Sequence, residues 1–206
     1  MYRTGLPGHE TGTFRRLDPK IVFIKLQMPL VMYDSTIPEN WADKKVLVMG
    51  LGRFGGGVGA CRFLAERGAR ITVTDLAGED ELAESVEQLR GLPITFHLGG
   101  HRNSDFTNSD LIIVNPAVRR NSPSLKLATE NNVPLTSEMN LFFKYCPAPI
   151  VGITGSNGKS TTTAMIGEVL KTVCRVWVGG NIGQGSLLAQ VARIQRDDIV
   201  VLELSS

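Results

Sequence analysis

The run Val151-Gly-Ile-Thr-Gly-Ser-Asn-Gly-Lys-Ser-Thr-Thr-Thr163 constrains this chain more than any other stretch, because it joins an apolar strand to a helix through a turn suited to polyphosphate. Glycines at 155 and 158 let successive backbone N–H groups face phosphate oxygens, and the helix that follows offers them its positive N-terminus. Lys159 adds a full charge on a flexible stem, suited to the β- and γ-phosphates, and the Ser160 hydroxyl is placed to ligate Mg²⁺. In the common pattern G-x-x-x-x-G-K-[ST] the first glycine would fall at Ile153, whereas here it stands one residue earlier, at 152. A strand-to-helix turn with incidental glycines would need neither the lysine nor the hydroxyls behind it. The run therefore reads as a nucleotide site made by Gly155, Ser156, Asn157, Gly158, Lys159, Ser160 and Thr161.

At 206 residues the chain has room for one large domain or two small ones, and 42% hydrophobic with 20% charged residues is an ordinary balance for a chain that buries a core. A formal charge of +2 without a long basic run gives no reason to expect a nucleic-acid partner. Cys61, Cys146 and Cys174 are far apart and outside metal-ligand spacing, so the expectation is buried thiols in a reducing compartment, with no disulfide and no zinc. The apolar stretch 21–32 is broken by Lys25, Gln27 and Pro29 and is too short to span a bilayer, and no small-residue cleavage site follows it. A cytoplasmic protein without a membrane span is expected; the sequence indicates no oligomeric state.

Residues 1–43 carry many glycine and proline breakers and no clear period, and are read as an extension or poorly ordered arm. From Lys44 short β-rich runs alternate with amphipathic stretches, the rhythm of βαβ units and a parallel sheet. Strands are expected at 46–49, 71–74, 94–97, 111–114 and 133–136, with helices at 58–67, 80–90, 123–131 and 138–145. Ser122-Pro123 and Ser137 start the last two helices. This is one Rossmann-like domain, residues 44–146. After the stiff connector Pro147-Ala148-Pro149 a second α/β unit, 147–206, should contain strand 150–154, helix 159–171, strand 175–178, a glycine-rich turn at 179–185, helix 186–193 and strand 199–204.

Three further constellations carry chemistry. Gly50-Leu-Gly-Arg-Phe-Gly55 satisfies G-x-G-x-x-G after a strand and before a helix, with Asp75 at the end of the next strand. This suits a dinucleotide, any other diphosphate, or merely a tight turn. Gly179-Gly-Asn-Ile-Gly183 puts Asn181 at a sheet's carboxyl edge, as a substrate contact or as part of a simple Asn-Gly turn. Glu203 ends an apolar strand, where it would share a Mg²⁺ with Ser160 or else be solvated.

Taken together, Thr154-Gly-Ser-Asn-Gly-Lys-Ser-Thr161, Gly179-Gly-Asn-Ile-Gly183 and Leu202-Glu-Leu-Ser-Ser206, in that order behind a Rossmann-like domain, resemble the Mur ligases of peptidoglycan synthesis. The form of the loop and of the last strand is most similar to the member that adds D-glutamate to UDP-N-acetylmuramoyl-L-alanine. The resemblance covers residues 45–206. It implies an α/β fold with a Rossmann-like parallel-sheet domain followed by the start of a P-loop-type central domain, and an ATP-dependent amide-bond-forming reaction. In it the substrate carboxylate is phosphorylated and D-glutamate attacks the acyl phosphate. Carried over by position, Lys159 is the catalytic cation on the phosphates, Ser160 and Glu203 hold Mg²⁺, and Asn181 touches the UDP-linked substrate. Gly50, Gly52, Gly55 and Asp75 hold the uridine diphosphate.

The chain departs from the family where Arg53-Phe54 precedes three glycines, in place of a serine- or threonine-bearing turn, and where Asn115-Pro116-Ala117 stands for S-P-G. The family's later histidine, its carbamylated lysine and its third domain are not in the sequence, since three domains of about 100 to 200 residues each exceed this length. The expectation is an N-terminal portion, inactive by itself. Two other classes stay open: an NAD(P)-dependent Rossmann oxidoreductase, and a non-catalytic module that binds a nucleotide or UDP-sugar.

Overall fold

A computed structural model describes residues 36–53, 55–180 and 185–204. Two parallel sheets organise them. The first contains β1 (Lys45–Met49), β2 (Arg70–Asp75), β3 (Ile94–Leu98), β4 (Leu111–Val114) and β5 (Leu135–Thr136) in the order β3-β2-β1-β4-β5. Its connections are α1 (Gly56–Ala65), α2 (Glu79–Glu87), α3 (Asn103–Thr107) and α4 (Pro123–Glu130), and α5 (Glu138–Tyr145) follows β5. The second sheet, in the order β6-β8-β7, contains β6 (Ile150–Ile153), β7 (Val176–Gly180) and β8 (Ile199–Glu203). Helix α6 (Lys159–Leu170) and a 3₁₀-helix (Leu188–Arg193) make its crossovers.

Strand alternation sorts the first core into two layers. Val46 and Val48 of β1 point to one face with Ile71, Val73, Leu111 and Ile113, under α1, α2 and α5. Leu47 and Met49 point to the other with Ile112, under Phe106 of α3 and Leu125 and Ala128 of α4. A central strand covered on both sides has to be apolar at every inward position, which is why β1 reads as an unbroken hydrophobic run. The first layer continues without a break into Ile150, Leu188, Val191, Ile194, Val200 and Leu202, so the second sheet shares its core with the first.

Three differences from the sequence reading have physical causes. Ile37 and Trp41, placed by sequence in the N-terminal extension, are buried in the first core. The Trp41 indole N–H donates to the Tyr145 hydroxyl at 2.8 Å, and Lys144 donates to the Ile37 carbonyl at 2.7 Å. The remainder of that extension, residues 1–35, lies outside the described residues. Helix α3 was not expected, because a five-residue helix with one buried side chain, Phe106, leaves no period to read. The expected helix at 186–193 is instead 3₁₀ over Leu188–Arg193. Leu188, Val191 and Ile194 recur every third residue, the spacing that a 3₁₀ turn places on one face.

Phe63 of α1 anchors the first layer. Its ring lies edge-on to Trp41 at 6.1 Å and tilted against Tyr145 at 4.9 Å, with the Arg67 guanidinium 3.6 Å above it. Phe63→Ala should cost about 3–5 kcal/mol by leaving a cavity among rigid neighbours. Urea denaturation of the variant checks this; a loss below about 1 kcal/mol would show that the cluster collapses onto the gap.

Candidate functional site

In the first sheet the chain leaves β1 toward β2 on one side and reaches β4 on the other, so a crevice opens beyond the carboxyl ends of these strands. A cavity of about 840 Å³ lies there, with Gly50, Gly52, Asp75, Leu76, His101, Asn115 and Arg119 in its wall. The glycine turn is fastened from several directions. Asp75 Oδ2 accepts the Leu51 N–H at 2.8 Å and the Gly52 N–H at 3.3 Å, and Oδ1 accepts the Ala77 N–H at 3.0 Å. The Gly50 carbonyl accepts from Asn115 Nδ2 at 3.1 Å, and the Gly52 carbonyl from Ser85 Oγ at 2.8 Å. Gly50, Gly52 and Asp75 thus form one wall, in which the carboxylate holds the turn's backbone. Gly55 is the N-cap of α1.

The glycines that follow answer a different demand. A Cβ on Gly57 would stand 2.3 Å from the Leu51 carbonyl oxygen, and one on Gly59 would stand 2.1 Å from Ser186 Oγ. The segment Gly185–Ser186, from the second sheet's crossover, therefore lies directly on the first turns of α1. Glu138, the first residue of α5, meets it there. Ser186 Oγ donates to Glu138 Oε1, and a Cβ on Gly56 would stand 3.2 Å from Glu138 Oε2. Burial raises the Glu138 pKa, and the Ser186 hydroxyl partly opposes that rise.

The second sheet's carboxyl edge carries the phosphate-type loop. Gly158, at φ 76°, is the N-cap of α6, and Ser156, Asn157, Ser160 and Thr161 are exposed around it. Lys159 Nζ donates to the Gly155 carbonyl at 2.7 Å, so the ammonium lies across the loop. Glu203 of β8 pairs in register with Ile153, the last residue of β6 before the loop. It is only 6% exposed, and its Oε2 has no hydrogen-bond partner among the described residues. No cluster of three or more His, Cys, Asp or Glu capable of holding a metal occurs among the described residues. Asn181 lies outside them.

Sequence reasoning missed Leu76, His101 and Arg119 at the first cavity, because none belongs to a motif; the chain brings them there from three separate loops. Burial pushes the Cys61 thiol up to about 12 and also raises that of Cys146. Asp198, at the foot of β8, is lowered by the Gln195 backbone N–H and then by the Trp177 indole, both of which donate to it. No helix among the described residues is long and apolar enough to cross a membrane.

A parallel five-stranded sheet with a glycine turn at its switch point defines a Rossmann-like unit. Residues 44–137 match the family described as Mur ligase MurD-like, N-terminal domain. The UDP-N-acetylmuramoylalanine–D-glutamate ligase of Roseiflexus sp. (strain RS-1) is 47% identical over 170 residues, covering 80% of this chain and 35% of that protein. The ligase of the same name from Desulfosudis oleivorans is 40% identical over 170 residues, covering 82% of this chain and 36% of that protein. The chain thus spans about a third of the length of these relatives. Among solved structures, the UDP-N-acetylmuramate:L-alanyl-gamma-D-glutamyl-meso-diaminopimelate ligase from Neisseria meningitides shares the fold. Its TM-score is 0.50 at 18% identity, over 78% of this chain and 52% of that one.

The raised pKa of Glu138 makes its ionisation oppose folding. The folded chain holds the proton more tightly than the unfolded chain, so stability falls as pH rises past the ordinary value of 4.5 and through the raised folded value. Glu138→Gln keeps an acceptor for Ser186 and removes the charge, so its melting temperature at neutral pH should equal or exceed that of the parent. Glu138→Ala should lose about 1–2 kcal/mol. Melts across the pH range test the pair; a Gln variant that melts well below the parent at neutral pH would contradict this account.

Proposed function

We propose that this chain is the N-terminal part of an ATP-dependent ligase that adds D-glutamate to UDP-N-acetylmuramoyl-L-alanine, the activity printed in the names of its curated relatives. In this reading residues 44–146 hold the UDP-linked substrate, and residues 147–206 begin an ATP-binding central domain. The sugar nucleotide would lie in the cavity beyond β1 and β4. Arg119 is the cationic side chain in that wall. ATP would lie along Gly155–Thr161, with Lys159 leaving the Gly155 carbonyl to neutralise the β- and γ-phosphates. Phosphoryl transfer to the alanyl carboxylate gives an acyl phosphate; attack by the D-glutamate amine forms the amide and releases phosphate.

The observation that carries this reading is the buried Oε2 of Glu203 beside the loop, which has no partner among the described residues. An unpaired buried carboxylate oxygen is costly and fits a cation ligand. With so few protein oxygens the ion would be Mg²⁺, held by Glu203, the Ser160 hydroxyl, water and nucleotide phosphates. Bound there, Mg²⁺ would neutralise charge on the transferring phosphoryl group.

An NAD(P) enzyme is the weaker reading, because both Asp75 oxygens already accept backbone N–H groups where a cofactor ribose would need one. Calorimetry with the purified chain tests the assignment. Lys159→Ala should lower MgATP affinity at least about tenfold while leaving UDP-N-acetylmuramoyl-L-alanine affinity unchanged. Glu203→Gln, which removes the carboxylate charge and keeps the shape, should remove the stabilisation gained from MgATP. If MgATP protects both variants as well as the parent, the loop does not have this role.

A further inference from the structure

Helix α6 carries its larger apolar side chains away from its own sheet. Toward the sheet it sets Thr163 and Gly167, both buried, and a Cβ on Gly167 would stand 2.7 Å from Val178 Cγ2 of β7. Met165 and Val169 lie about 140–180° further round the helix at 3.6 residues per turn, and Val173 extends their row one turn past its end. The three are 63%, 68% and 80% exposed. Four large hydrophobic side chains are exposed among the described residues; three make this row, and the fourth is Leu76 at the first cavity. Scattered apolar residues on a surface need no explanation. A row at four-residue spacing, about 12 Å long, is instead the pattern of a helix face that packs on something. Neither the packing of the described residues nor the reaction above uses it.

The stretch 21–32, which lies outside the described residues, holds nine large apolar side chains in twelve residues and is too short to span a bilayer. We propose that residues 21–32 pack on the Met165, Val169 and Val173 row of α6 within the same chain. The described part of the chain starts against the end of α5, where the Ile37 carbonyl accepts from Lys144 and the Pro38 carbonyl from the Tyr145 hydroxyl. Further along, the Pro149 carbonyl accepts the Val200 N–H, and the Ile199 N–H donates to the Arg175 carbonyl. Pro149, Ile199 and Arg175 thus stand abreast at the foot of the second sheet, about 10 Å across two strand spacings. Val173 stands just before Arg175 in the chain, so the path from Ile37 to the row is at most about 40 Å. Extended chain from Ile37 covers about 17 Å by Met32 and about 55 Å by Ile21, which brings the stretch to the row. The tether also favours this occupant over a second copy, because it holds the stretch at an effective concentration of roughly millimolar order. Two copies joined row to row would leave both apolar stretches uncovered.

Hydrogen exchange of the purified full chain, read by mass spectrometry, tests the proposal. Amides at 21–32 should exchange at least about tenfold more slowly than the rate for an unprotected chain of the same sequence, at every protein concentration. Val169→Asp should remove that protection. Ala164→Asp, on an exposed flank of the same helix away from the row, should leave it in place. If Val169→Asp fails to fold, a photo-crosslinking phenylalanine analogue at Val173, the most exposed position of the row, reads the same contact and should couple to 21–32 of its own chain. Exchange at the unprotected rate in the parent, protection that survives Val169→Asp, or equal loss in both aspartate variants overturns the proposal. So does protection that disappears on dilution, or coupling from position 173 only to other segments or to a second chain.

Discussion

The close approach of Gly185–Ser186 to the first turns of α1 is the contact on which the rest of the structure depends. No side chain larger than hydrogen fits at Gly59, where a Cβ would stand 2.2 Å from the Ser186 Cβ. With that space open, α1 serves two sheets at once. Its apolar side covers the first sheet, and its glycine side receives the crossover of the second. The continuous apolar layer from Val46 through Leu64 to Val200 and Leu202 follows from this contact. So does the meeting of Glu138 and Ser186, a polar link set between the two halves of the chain.

This packing places two ligand-type edges in one body. Each parallel sheet offers its carboxyl ends to a crevice, the first through the turn fastened by Asp75, the second through the loop that precedes α6. The two edges are prepared differently. At the first, the Gly50 and Gly52 carbonyls and both carboxylate oxygens of Asp75 are hydrogen-bonded within the protein. At the second, one buried oxygen of Glu203 has no partner among the described residues and Lys159 rests on its own loop.

Much of the fold was legible because buried parallel strands leave apolar runs and because glycine, proline and serine mark the turns. Ser137 is a clear case: its hydroxyl accepts the Asn140 N–H at 3.2 Å, as a serine placed before an amphipathic run should. The role of Gly56, Gly57 and Gly59 was not legible. From sequence the three glycines after Arg53-Phe54 are only a departure from the family's turn, and only the fold brings Glu138 against Gly56, Leu51 against Gly57 and Ser186 against Gly59. His101 and Leu76 were hidden for a related reason. Each is an isolated residue after a strand, and the cavity that gives them meaning exists only once β1, β2 and β4 lie side by side. The turn at 179–185 was misjudged at its start, because Gly179 and Gly180 continue β7 in register with Leu202 and Glu203.

The shared core has a direct test, because one of the chain's two tryptophans packs under the first sheet and the other lies in the second. Trp41 lies under the first sheet with its indole on Tyr145, and Trp177 lies on β7 with its indole on Asp198. Phenylalanine replacement of either leaves a single fluorescent reporter in the other sheet. Urea unfolding of the two single-tryptophan chains should then give the same midpoint and the same dependence on denaturant after correction for the stability cost of each replacement. If instead the Trp177 signal is lost in a separate transition at lower urea, the second sheet unfolds independently, and the claim that the glycine face of α1 joins both sheets into one cooperative unit is contradicted.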